Sequence, residues 1–105
     1  MLKLIMPQIY QYFGFIFFFY SNEHTPIHVH VSHGGCHSIF EIIMLDGKLS
    51  EIRIREKAGE DPLSSKDQKV AEAFIRKYYK NIIEKWINFF VRKQVVRSTN
   101  IKTKL

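Results

Sequence analysis

The chain has 105 residues, 46% of them hydrophobic, which suits one modest globular core and excludes a disordered chain or a pair of domains. Its formal net charge is +6, but five of the 16 basic residues and none of the 10 acidic ones lie from Arg92 onward, so the body is nearly neutral. A single cysteine, Cys36, excludes an internal disulfide and agrees with a reducing cytoplasm.

Residues 12–20 form an aromatic run. It is far short of the roughly 20 apolar residues of a transmembrane helix, and Pro7, Gln8 and Gln11 interrupt it upstream. Ser21, Asn22, Glu23 and His24 follow it, a poor match to a signal-peptide cleavage site. The expectation is a buried strand over 12–20, with no membrane segment. Thr25-Pro26 then marks a turn. Ile27, His28, Val29, His30 and Val31 alternate with period two, so residues 27–33 read as a strand.

Gly34-Gly35 is a two-residue hairpin signal, because a type I′ turn needs positive φ at both positions. It leads into a strand over 36–45. Asp46-Gly47 is a second such turn, leading into a strand over 48–56, and residues 58–63, with Gly59 and Pro62, close the sheet region. Ser64 with Asp67, and Ser65 with Gln68, are overlapping capping-box signals. Val70, Phe74, Tyr78, Ile82, Trp86 and Phe90 recur every fourth residue, with Ala71, Ile75, Ile83 and Phe89 widening the stripe. A long helix over about 65–93 follows. The predicted class is α+β: a three- to four-stranded antiparallel meander packed against one C-terminal helix. Residues 1–93 make the single domain, and residues 94–105 a basic, disordered tail.

All five histidines lie between His24 and His37, and the hairpin sorts them. A two-residue turn at Gly34-Gly35 sets His28 opposite Glu41, His30 opposite Ile39 and Ser32 opposite His37. Alternation then puts His28, His30, His37 and Glu41 on one face, with Ile27, Val29, Val31, Cys36, Phe40 and Ile42 on the other. His33 falls near the turn end of that second face, and His24 stays in the approach turn. The diagonal between His30 and His37 spans about 7–8 Å. Carrying the register through Asp46-Gly47 places Ile52 and Ile54 on the histidine face. Either a bulge in the last strand reverses its faces, or both faces are partly apolar and His28 and His30 are buried under the helix or in a dimer interface, with Glu41 as a structural partner.

Four uses of the histidine face stay open. It is a structural or interface hydrogen-bond network. Alternatively His28, His30 and Glu41, joined by His24, hold a divalent transition metal such as Zn, Ni or Fe, with an open position for water. A third use is metal-free acid–base catalysis of RNA cleavage. The fourth is a Cys36–His33 nucleophilic pair, which lacks any sign of an oxyanion hole. The residues therefore leave open whether the chain is an enzyme, and no cofactor-binding pattern is present. Arg92, Lys93, Arg97, Lys102 and Lys104 are candidates for RNA or DNA phosphates, against a solvated tail.

The run Asn22-Glu23-His24-Thr25-Pro26-Ile27-His28-Val29-His30-Val31 resembles the signature of a small bacterial domain-of-unknown-function family numbered 4160. The likeness continues at Ser38 to Ile42, at Ser64 and at Trp86, and covers roughly residues 6–90. Met6-Pro7-Gln8-Ile9 looks like the family's usual beginning, which makes residues 1–5 an upstream-start extension. His24, His28, His30 and Glu41 match the pattern. His37 stands where members often carry an acid, and Thr25 and Ile27 where many carry prolines. The resemblance implies no activity. It implies a gene neighbour, a small domain of unknown function numbered 2442, in arrangements that look like toxin–antitoxin pairs. A protein partner encoded nearby and a homodimer are the corresponding expectations.

Overall fold

A computed structural model describes residues 6–20 and 26–105. The sheet region contains β1 (Gln8–Tyr12), β2 (Phe15–Phe18), β3 (His28–His33), β4 (Cys36–Leu45) and β5 (Lys48–Glu56). Helix α1 (Ser65–Trp86) follows and ends in a π-helical turn, Ile87–Val91, before β6 (Thr99–Ile101). The architecture is α+β, as the patterning predicts: a six-stranded sheet in the order β5-β4-β3-β2-β1-β6 against the long helix. All pairs are antiparallel except β1 with β6.

Two differences enlarge the expected meander. The aromatic run 12–20 is not one strand but is folded back on itself by a turn at Phe13 (φ 44°) and Gly14 (φ 85°). Positive φ at a bulky residue costs roughly 1–2 kcal/mol, so Phe13 carries no sequence signal for a turn. Gly14 is required twice over, since a Cβ there would lie 3.1 Å from the His33 ring. Second, the segment read as a solvated tail returns to the sheet as β6, with Tyr10 opposite Thr99 and Tyr12 opposite Ile101. Lys85 anchors it by donating to the carbonyls of Ile9 (3.0 Å) and Arg97 (2.7 Å) and to Thr99 Oγ1 (3.1 Å). Burial holds the Lys85 amine below its usual range.

The third turn settles the register of β5. Leu45 pairs with Lys48 and Met44 with Leu49, but Ile43 pairs with Glu51, so Ser50 is the extra residue of a bulge. The faces of β5 reverse there. Ile52 and Ile54 join Ile42 and Phe40 on the helix side, while Arg53 and Arg55 sit opposite Glu41 and Ile39 on the histidine side. Of the two arrangements open from the sequence, the bulge is the one formed.

Helix α1 is capped by Ser64, whose Oγ accepts the Asp67 amide at 3.1 Å. Its buried stripe is Ala71, Phe74, Ile75, Ile82 and Trp86. Phe74 is the hub: its ring lies 4.4 Å from that of Phe17, 5.1 Å from Tyr12, 5.3 Å from Tyr10 and 4.6 Å from Tyr78. Burying such a side chain stabilises by about 1.5–3 kcal/mol before cavity effects. Among the described residues no helix is long and apolar enough to cross a membrane. Residues 1–5 and 21–25, among them Glu23 and His24, lie outside the described residues.

Candidate functional site

The β3–β4 hairpin has the register that Gly34-Gly35 dictates: His28 opposite Glu41, His30 opposite Ile39, Ser32 opposite His37. His28, His30 and His37 therefore share the face away from α1. Each is buried, at 4%, 1% and 3% relative exposure, so the face meets protein rather than bulk water. Phe18 and Tyr20 supply the covering, with the Tyr20 ring stacked on His30 at 4.1 Å and Phe18 against both His30 and His37. The Lys57 ammonium lies 5.2 Å from the centre of the Tyr20 ring.

Buried imidazoles must be hydrogen-bonded, and these form a chain. His37 Nδ1 lies 2.9 Å from Glu60 Oε2, and His37 Nε2 lies 2.9 Å from His30 Nδ1. An ionised carboxylate only accepts, so His37 donates from Nδ1. A neutral His37 then accepts at Nε2, and His30 donates from Nδ1. His28 Nδ1 donates to the Pro26 carbonyl at 2.8 Å. The tautomers of neutral His28 and His30 follow: each carries its lone pair on Nε2. Their rings are 5.5 Å apart.

The same stretch of β4 pins the loop before α1. The His37 amide donates to Asp61 O (2.8 Å), and Ser38 Oγ accepts from the Leu63 amide (3.0 Å). The carboxylate end of the chain, Glu60, is the exposed one, with 43% of its side chain accessible.

The other candidates are distributed differently. Glu41 is on the expected face but turns to Arg55, whose Nε donates to it at 3.1 Å. Among the described residues no group of three His, Cys, Asp or Glu side chains converges as a metal would need, and His24 lies outside them. His33 is on the helix side, stacked on Phe15 at 3.9 Å with Nε2 4.0 Å from Asp67. Cys36 faces it across the turn. Of the basic residues, Arg92 donates to Asn88 (2.8 Å), and the Lys104 ammonium lies 4.1 Å from the centre of the Phe13 ring. Lys93 takes positive φ where the helix ends, and Arg97 accepts from Lys85 through its carbonyl. A cleft of about 620 Å³, lined by Tyr10, Tyr78, Glu84, Lys85 and Thr99 among others, is separate from the histidines.

Glu60 and Tyr20 are the members that sequence reasoning missed. Glu60 lies in a loop without periodicity, 23 residues from His37. Its only sequence cue is an acid beside Gly59 and Pro62 in the segment that closes the sheet.

A family model described as Domain of unknown function (DUF4160) matches residues 14–87. The chain belongs to this family. The match includes every residue of the histidine chain and Glu60. No curated protein and no solved structure matches the chain.

Proposed function

We propose that this domain is the protein-binding component of a two-protein, toxin–antitoxin-type pair. The observation that carries this is the open edge of the sheet. Among the described residues, β5 pairs with β4 alone along nine residues, so one side of its backbone offers donors and acceptors to an added strand. The histidine face supports the same reading, because among the described residues His28 bonds to the Pro26 carbonyl and His37 to the loop at Glu60, both within the chain.

Calorimetric titration with the adjacent gene's product is the test. Ile54→Lys, at a half-exposed position of β5, is expected to weaken binding about tenfold, equivalent to ~1.4 kcal/mol. No heat with the native chain would sink the reading.

One observation favours a second reading, acid–base chemistry. A carboxylate–imidazole–imidazole chain fixes the His30 tautomer, as a general base requires, although a substrate would have to displace Tyr20 to reach it. RNA cleavage lost in both His30→Gln and His37→Gln would favour it. The metal version, with His28, His30 and Glu41 joined by His24, is tested by elemental analysis of protein purified without a nickel column.

A further inference from the structure

The strand at the open edge is complementary to itself. A two-fold axis normal to the sheet keeps each residue on its own face, so a β5–β5 antiparallel pair can only oppose residues of like face. With Arg53 on the axis, Glu51 stands opposite Arg55 of the second copy, and Arg55 opposite its Glu51. On the other face Ile52 meets Ile54, again twice.

Both faces of the edge suit this pairing. On the histidine side, Glu41, Glu51, Arg53 and Arg55 carry two charges of each sign. Arg55 Nε donates to Glu41, and Arg53 Nε donates to Glu51; the two Arg53 side chains that meet on the axis are like charges, each offset by its own Glu51 and by Glu41 across the β4–β5 ladder. On the helix side, burial fades toward the edge: Phe40 is 0% exposed and Ile42 2%, whereas Ile54 is 38%. One helix cannot cover β5, and the isoleucines of a second copy would close the gap.

We propose that β5 of one copy pairs antiparallel with β5 of another, forming one continuous sheet about a two-fold axis through Arg53. This names the occupant of the edge and rests on the interaction reading above. Sedimentation equilibrium of the full chain over about 1–100 µM is expected to show a dimer. Glu51→Arg sets like charges opposite each other twice and is expected to weaken it about tenfold or more, with the circular dichroism spectrum unchanged. Arg53→Cys in a Cys36→Ser background is expected to form an interchain disulfide on mild oxidation, and Lys48→Cys in the same background is not.

A native monomer throughout the range overturns the proposal. So does a dimer that ignores Glu51→Arg and gives no disulfide at position 53. If the chain is monomeric but Ile54→Lys still weakens binding of the neighbour's product about tenfold, self-pairing falls and the interaction reading stands. A dimer that responds to Glu51→Arg but never binds that product upholds self-pairing and removes the two-protein reading.

Discussion

The two faces of the β3–β4 hairpin are equally dry and differently held. Toward α1 lie Val29, Val31, Phe40 and Ile42, at 0–2% exposure. Away from it lie His28, His30, His37 and Ile39, at 1–4%. The first group gains from leaving water, with little demand on orientation. In the second group every ring nitrogen that loses water must find a partner, or it costs about 1–3 kcal/mol. The helix side therefore supplies stability and the histidine side specificity: it requires one tautomer, one rotamer and one loop position at a time. That is the behaviour of a device that fixes the β5–α1 loop against the sheet.

The contrast can be broken most sharply at Phe74. Removing its ring from the centre of the aromatic cluster leaves a cavity, and Phe74→Ala is expected to cost about 3–5 kcal/mol in urea denaturation. A loss below about 1 kcal/mol would show that α1 is not what seals that face. Next comes His37→Leu, which strands the donor of buried His30 and frees Glu60. The expected cost is about 1–3 kcal/mol, most of it from the stranded His30 donor, so only a minor part is expected to couple to Glu60→Gln in a double-mutant cycle. A neutral or stabilising result would mean that burial alone, not the network, holds this face.

A third effect separates the faces by pH. Tyr10, on the helix side, has its phenol pushed above the usual 10.0 by burial first, and then by Tyr78 and Glu84. Because the folded value is the raised one, its contribution is fully present below pH 10 and is lost as pH rises through the folded value. Stability should therefore fall on the alkaline side of pH 10, and Tyr10→Phe should flatten that fall. An identical slope in the variant would assign it to other groups. The smallest effect is expected at the rim of the histidine face. Arg55→Ala removes a half-exposed pair with Glu41 and should change stability by less than about 1 kcal/mol. A larger loss at concentrations where the native chain is dimeric would point to the contact proposed across β5.

Much of this was legible residue by residue. Gly34-Gly35 sets the pairing of His28 with Glu41 and His30 with Ile39, because a two-residue turn leaves one register and alternation does the rest. The helix stripe at Phe74, Ile82 and Trp86 was legible for the same kind of reason, as was the separation of His33 from its neighbours. These are rules that act over a turn or two of chain.

What the tertiary structure decided lies beyond that range. The turn at Phe13-Gly14 exists because packing outweighs the strain of a bulky residue at positive φ. The bulge at Ser50 was one of two allowed outcomes, and α1, by covering only one face, selects the outcome that turns Ile52 and Ile54 toward it. Glu60 reaches His37 from 23 residues away, and β6 reaches β1 across the whole chain. Neither contact has a local pattern, because loop closure and burial choose those partners. The sequence by itself thus determined which histidines share a face. Only the assembled fold decided that they meet protein, and that their carboxylate is Glu60 rather than Glu41.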